Sequence, residues 1–340
     1  MLPWFSNGKF PLYLAPMAGV SDMIFRQLCK ERGADVLVTE FVSSEGVFRR
    51  NHRTRGYIEF GAMERPIGVQ LFGGNAEHMG EAARQVVGWV QPDFIDLNFG
   101  CPVNKVVAKN GGSALLKDCP TLGKVAAAVV RAVAPLPVTA KIRTGWDEKT
   151  VNAVAVARQL ESLGIAALAV HGRTRAQGYS GAADWDVIAE VAAAVSIPVI
   201  GNGDLFTAAD IALRKRETGI AGAMIGRAAM SSPWIFSQTK HFLATGMLLP
   251  LPEPAEKWAL IQRHCELAVA QCGRNAACKA GEAGLSIEDL AMRSMRGRLM
   301  AYSKGMPASK MLREKFQRVS SLGEVAEIAR THLATCLEAA

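Results

Sequence analysis

Six short segments of this chain carry residues able to do chemistry. Cys101 stands in Asn98-Phe99-Gly100-Cys101-Pro102, three residues past an apolar run. Gly100 and Pro102 fix that turn and aim the thiol. A thiol of ordinary pKa, about 8.5, is mostly protonated at neutral pH, so it can give a proton as readily as it can attack. Lys141 closes the run Val138-Thr139-Ala140-Lys141-Ile142. A lysine at such depth needs a carboxylate or a ligand to offset its desolvation. Gln70 ends another run and both donates and accepts, which suits the edge of a heterocycle. In His171-Gly172-Arg173-Thr174-Arg175 two arginines follow a histidine, a grouping suited to an anionic ligand or a nucleic acid. Gly201-Asn202-Gly203 and Gly226-Arg227 combine glycines, which let backbone N–H groups approach an anion, with the fixed positive fork of an arginine.

The elements that must position these residues repeat one event over the first 240 or so residues: an apolar run, a turn of Gly, Asn, Asp or Pro, then a helical segment. The runs are Leu12–Ala15, Val36–Thr39, Ile67–Leu71, Phe94–Asn98, Val138–Ile142, Ala166–Val170, Pro198–Gly201 and Ala223–Ile225. They are continuous rather than alternating, as strands buried on both faces of a parallel sheet must be. Amphipathic segments such as Ala76–Val90, Val151–Leu163 and Trp185–Val195 separate them. Eight strands with intervening helices predict a (β/α)8 TIM barrel over residues 1–245, with an open doubly wound sheet as the competing arrangement. Barrel chemistry sits at the C-terminal strand ends, where Pro16-Met17-Ala18, Glu40, Gln70, Asn98, Cys101, Lys141, Arg143, His171, Asn202-Gly203-Asp204 and Gly226-Arg227 gather. Phosphate sites follow strands seven and eight of such barrels, where the two glycine segments fall. No dinucleotide fingerprint is present, since Phe206 stands where the third glycine belongs, and there is no P-loop. The Pro-rich stretch 246–254 reads as a linker. Residues 255–340 read as a small all-helical domain, with turns near Gly273, Gly281–Gly284, Gly305–Pro307 and Gly323.

Composition narrows the class. The chain has 340 residues, 49% hydrophobic and 21% charged, which excludes wholesale disorder. The longest stretch without a charge, Val191–Gly203, has 13 residues, against about 20 for a membrane span. A net charge of +8 permits a polyanionic partner without requiring one. Seven cysteines are too sparse for a disulfide framework, and the cytoplasm is the expected compartment. Cys265, Cys272 and Cys278 have spacings that fit neither zinc nor iron–sulfur patterns, so no metal is expected.

Taken in order, Ala15-Pro16-Met17-Ala18-Gly19-Val20, Asp96–Pro102, Lys141-Ile142-Arg143-Thr144-Gly145-Trp146, His171–Arg175, Asn202-Gly203-Asp204 and Ile225-Gly226-Arg227 resemble the tRNA-dihydrouridine synthases. Thr39-Glu40-Phe41-Val42-Ser43-Ser44 and the Lys141–Trp146 motif resemble the bacterial B subgroup most. The resemblance covers residues 10–240 closely and the helical tail loosely. It implies an FMN-binding barrel followed by a helical tRNA-binding domain. It further implies reduction of the C5=C6 bond of a D-loop uridine in tRNA to 5,6-dihydrouridine, with hydride passing from reduced FMN to C6, a proton from Cys101 to C5, and NADPH as reductant. Carried over by position, Pro16, Met17, Ala18, Gln70, Lys141, His171, Asn202, Gly203, Asp204, Gly226 and Arg227 would bind FMN. Asn98 and His171 would line the flavin and uracil site, with Arg143, Arg173 and Arg175 on the substrate.

The tail adds its own signal. Between Arg293 and Arg318 there are eight cations and one acid, Glu314. Arg293, Arg296, Lys310 and Arg313 are therefore expected phosphate contacts. Arg49, Arg50, Arg53 and Arg55 form a second basic cluster. The expected particle is a monomer. Two other readings share parts of this pattern: an FMN barrel that reduces a free pyrimidine or small enone, and a non-enzymatic RNA-binding barrel.

Overall fold

The computed structural model describes residues 2–49, 52–108, 110–275 and 284–338. Arg50, Cys278 and Gly281 lie outside the described residues. The chain forms two compact units. One comprises Met1–Gly226 and Ile235–Met247, the other Arg227–Trp234 and Leu248–Ala340.

The first unit is a parallel barrel. Its strands are β1 Leu12–Leu14, β2 Leu37–Val38, β3 Val42–Ser43, β4 Ile67–Phe72, β5 Phe94–Phe99, β6 Val138–Arg143, β7 Ala167–His171, β8 Val199–Asn202 and β9 Gly222–Ile225. Their spatial order is β1-β9-β8-β7-β6-β5-β4-β2, with β3 also on β4. A parallel bridge between Tyr13 and Val36 closes the ring. All eight sequence runs thus became barrel positions, and the competing open sheet is excluded by that closure.

The second position is broken into β2 and β3. Val38 pairs with Gly68 and Val42 with Leu71, so one extra residue is accommodated between them, a β-bulge. Thr39 fills the gap: its hydroxyl accepts the Gln70 N–H at 3.2 Å. The run Val36–Thr39 gave no sign of this, because a bulge is a mismatch between two strands rather than a pattern in one.

Two layers fill the barrel. Tyr13, Val36, Val38, Phe94, Ala167, Ala169, Ile200 and Met224 form a buried apolar cluster. Phe94 fits only because residue 68 is glycine; a Cβ there would come within 2.2 Å of its ring. The N-terminal segment forms a 3-10 turn, Pro3–Gly8. Leu2, Trp4 and Phe5 pack on this cluster, and Trp4 Nε1 donates to the Tyr13 hydroxyl at 2.6 Å. The polar layer lies further along the same inward-facing rows, at the C-terminal strand ends.

The second unit contains helices Pro254–Asn275, Ile287–Tyr302, Ser309–Phe316 and Leu322–Glu338, and the short helix Arg227–Ser231. The first of these runs through Gly273 to Asn275, where a turn was expected. A single glycine costs a helix about 1 kcal/mol and does not end it. Ser286 caps the next helix by accepting from Asp289 N, with Asp289 reaching back as a capping box. Buried in this unit, Trp258 Nε1 donates to His332 Nδ1 at 3.1 Å, and His332 Nε2 donates to the Pro307 carbonyl at 2.8 Å. Among the described residues no helix is long and apolar enough to cross a membrane.

Candidate active site

Strand register brings the polar layer together. Asn98 pairs with Lys141, Arg143 with His171, and His171 with Asn202. Because residues i and i+2 of a strand share a face, Asp96 and Asn98 of β5, and Thr139, Lys141 and Arg143 of β6, form inward-facing columns.

Cys101 is 7% exposed, and its loop is anchored from three elements. Asn98 Oδ1 accepts the N–H groups of Gly100 at 3.1 Å and Cys101 at 2.8 Å. The Ser113 hydroxyl donates to the Cys101 carbonyl at 2.8 Å, and Arg143 Nε donates to the Gly100 carbonyl at 2.9 Å. Burial pushes the thiol pKa up. A backbone hydrogen bond from Val103 and the charges of Arg143 and Lys141 pull it partly back. The group is therefore a protonated thiol at neutral pH, suited to giving a proton.

Lys141 Nζ donates to Asn202 Oδ1 at 3.1 Å, and Asn202 Nδ2 donates to the Met224 carbonyl at 2.7 Å. Desolvation, and then Arg143, push the lysine down to about 8, against the pull of Asp96 and Cys101. Its only hydrogen-bond partner among the described residues is thus a neutral amide. Gln70 is fully buried. Its Nε2 donates to Asp96 Oδ2 at 2.6 Å, and its Oε1 accepts from Asn98 Nδ2 at 2.8 Å. Burial raises the Asp96 pKa, while hydrogen bonds from Thr139 and Gln70 and the charge of Lys141 oppose the rise.

The arginines expected on substrate divide. Arg143 is buried, with Nη1 donating to the carbonyls of Thr174 at 2.8 Å and Gly178 at 3.0 Å. Arg173 is buried too. It donates to the carbonyls of Ser180 at 3.1 Å and Gly181 at 2.6 Å, and pairs with Asp204 at 2.6 Å. These bonds go to protein groups, since a buried guanidinium has no water to bond. One donor of Arg173, Nη1, is left without a partner. Arg175 lies over the Trp146 ring at 4.6 Å and donates to Asn104 Oδ1 at 2.9 Å. Asp204 also accepts from Ala183 N at 2.8 Å.

Pro16, Met17 and Ala18 follow β1. Met17 N donates to the Ser21 hydroxyl at 2.8 Å. Gly203 has φ of +125° and leaves no room for a side chain, since a Cβ would lie 2.7 Å from Ala183 Cβ. Gly226 follows β9, and a Cβ there would lie 3.5 Å from Met17 Sδ. Arg227 opens the short helix of the second unit. In that unit Arg293 and Lys310 are exposed and Arg313 is half-buried. Arg296 donates to the carbonyls of Val319 at 3.0 Å and Arg318 at 3.2 Å, tying down the turn before the last helix.

Three residues at the rim had no role assigned from the sequence, although Trp146 closes the Lys141–Trp146 motif. Ser113 comes from the 3-10 segment Gly112–Lys117. Trp146 lies under two cations, Arg175 and Lys117, the latter at 4.7 Å. Tyr179 is 62% exposed, 5.9 Å from the Arg143 guanidinium and 6.4 Å edge-on from His171. Asp96 was readable in one respect: it sits two residues before Asn98, on the same face of β5.

Comparison with known proteins agrees with this geometry. The dihydrouridine synthase family model matches residues 13–338. The tRNA-dihydrouridine synthase B of Pseudomonas syringae pv. tomato is 45% identical over 253 residues, 74% of this chain and 74% of that protein. That of Xanthomonas campestris pv. campestris is 46% identical over 71% of this chain and 72% of its own length. A probable tRNA-dihydrouridine synthase of Treponema pallidum is 35% identical over 95% of this chain and 93% of its own length. Among solved structures, TcOYE with pHBA superposes with a TM-score of 0.51 at 12% identity, over 72% of this chain and 90% of that one, a likeness of fold alone. With the family model spanning nearly the whole chain and relatives at 45% identity, this chain belongs to the dihydrouridine synthase family.

Proposed function

We propose that this enzyme reduces the C5=C6 bond of a D-loop uridine in tRNA to 5,6-dihydrouridine, with FMN as its bound flavin and NADPH as the reductant. The observation that carries the reading is a protonated thiol, Cys101, fixed at the barrel mouth where Lys141 and Arg143 act on it electrostatically. The relatives named tRNA-dihydrouridine synthase support the same substrate.

The donor set suits a flavin. Lys141 is a half-buried cation whose side chain bonds, among the described residues, to one neutral amide, so an electron-rich ring edge would relieve it. The unpartnered Arg173 Nη1 and the close backbone at Gly203 suit a phosphate. FMN would be held by Pro16, Met17, Ala18, Lys141, His171, Asn202, Gly203, Asp204 and Gly226, with Gln70 buried beneath and bonded to Asp96 and Asn98, and when reduced it would supply the hydride for C6. The chain's own part is acid catalysis and placement. The Cys101 thiol gives its proton to C5 of the uracil, and Lys141 and Arg143 stabilise the thiolate left behind. Asn98 and His171 line the uracil position. Arg175 stands at the rim, where it meets the RNA.

A uridine in folded tRNA must leave its stack to reach such a mouth, which costs a few kcal/mol. Phosphate contacts from Arg293, Lys310 and Arg313 offset that cost; Arg296 serves the same surface while holding its backbone. Mass-spectrometric mapping of dihydrouridine in tRNA from a deletion strain and its complement tests the proposal, together with identification of the flavin released on denaturation. Loss of one D-loop dihydrouridine, restored on complementation, is expected. An unchanged tRNA profile would overturn it, and comparable activity on free uridine would select the small-molecule reading.

A further inference from the structure

A hydrogen-bonded chain runs from the middle of the barrel to the Cys101 loop, and its direction is fixed at both ends. At one end the N–H groups of Gly100 and Cys101 can only donate, so Asn98 must turn Oδ1 to them. Its Nδ2 then faces Gln70, which must present Oε1. That turns Gln70 Nε2 toward Asp96, whose carboxylate can only accept. The second carboxylate oxygen is taken by the Thr139 hydroxyl at 2.5 Å. Asp96, Gln70 and Asn98 are all buried, so no water can substitute for a missing link.

We infer that Asp96 is a positioning residue: its carboxylate sets the direction of the Gln70–Asn98 amide relay and thereby holds the proton-donating Cys101 in place. A reversed Gln70 would turn its oxygen on the carboxylate and its N–H on Asn98 Nδ2. Asn98 would then have to reverse too and release the Gly100 and Cys101 amides. The carboxylate thus selects one of two otherwise isosteric arrangements. Burial pushes the Asp96 pKa up, and the hydrogen bonds from Thr139 and Gln70 and the charge of Lys141 oppose that rise in favour of the carboxylate. The inference rests on the uridine-reducing reading only for what Cys101 donates to.

A polarity swap tests it. Asn98→Asp keeps the acceptor for Gly100 and Cys101 but removes the donor to Gln70. Asp96→Asn in the same chain supplies an N–H at the far end, so the double variant can complete the relay with Gln70 reversed. The readout is amide hydrogen exchange of the peptide carrying Gly100 and Cys101, with no tRNA present. Asn98→Asp should speed exchange by about 10-fold or more, and the double variant should return to within about 3-fold of the parent. A double variant that exchanges as fast as Asn98→Asp, or faster, overturns the relay.

A kinetic arm links the relay to chemistry. Asp96→Ala should slow single-turnover uridine reduction at saturating tRNA by about 10- to 100-fold, the cost of a misplaced group, with tRNA affinity within about 3-fold of the parent. A parental rate in that variant overturns the positioning role. If Asp96→Ala fails to fold, the swap decides alone. If the parent reduces no uridine, the functional reading falls while the exchange cycle still judges the relay.

Discussion

The barrel mouth and the helical unit both carry concentrated polar groups, but they hold them in opposite ways. At the mouth Gln70, Asn98, Arg143, His171, Arg173 and Asn202 are all buried, and the hydrogen bonds of most of them go to one another or to rim carbonyls. In the helical unit Arg293, Lys304, Lys310, Lys315 and Arg318 stand exposed. Proton transfer needs groups fixed to a fraction of an ångström, which only a buried, fully bonded network gives. Attraction of a polyanion needs only charge density, which exposed side chains supply without being ordered. Arg296 belongs to neither extreme, since it spends its donors on backbone and is the poorest choice for a charge-reversal experiment.

The contrast is broken most sharply at Cys101. Cys101→Ala should slow uridine reduction by about 10²–10⁴ in single turnover while leaving flavin reduction by NADPH intact, because a general acid serves only the second half-reaction. Stopped-flow measurement of both halves checks this, and a parental rate of dihydrouridine formation would remove the thiol from the mechanism. Next comes the exposed charge. Changing Arg293, Lys310 and Arg313 together to Glu should weaken tRNA binding by roughly 100-fold or more. It should also lower the slope of log affinity against log salt by about 2.7, at 0.9 per phosphate contact. Affinity titrations at several salt concentrations read both; an unchanged slope would send the RNA elsewhere, with Arg49 and Arg55 the next candidates.

A smaller effect belongs to Lys141. Its folded pKa, about 8, lies below the ordinary lysine value of 10.5. Between those two values the unfolded chain keeps a proton that the folded chain has shed, so the lysine's contribution to stability rises with pH across that window. The raised thiols of Cys29, Cys101 and Cys265 act in the opposite direction, so the comparison must be with a variant. Denaturant titrations of flavin-free protein from pH 7.5 to 10 should show Lys141→Met gaining less stability with pH than the parent; identical slopes would mean that the lysine is not desolvated. Smallest of all, Trp258→Phe leaves His332 Nδ1 without its donor and should cost the helical unit about 1–3 kcal/mol, with no change in flavin reduction. Calorimetry and stopped flow together decide whether the two units are separable in this sense.

Much of this was legible in the residues. The eight buried runs are barrel positions because a strand covered on both faces must be apolar throughout. The strand-end rule then places Cys101, Lys141, His171 and Asn202 at one mouth from the residues alone. Other features were not legible. The bulge at Thr39, the Leu2–Phe5 plug, the buried setting of Arg143 and Arg173, and the exposure of Tyr179 each depend on what lies opposite in space.

The sequence by itself determined the repeat, the residue types at the strand ends and the charge of the tail, because those properties belong to single segments and survive in any arrangement that buries the apolar runs. Only the tertiary structure decided which polar groups face one another. Whether Arg143 meets a ligand or the carbonyls of Gly100, Thr174 and Gly178 is set by loops distant in sequence from it. Whether Asp96 bears on Cys101 is set by the register of β4 against β5, which seats Gln70 beside Asp96. Hydrogen bonds are directional and short-ranged, so their pairing is fixed only once strands from separate parts of the chain have closed into the barrel.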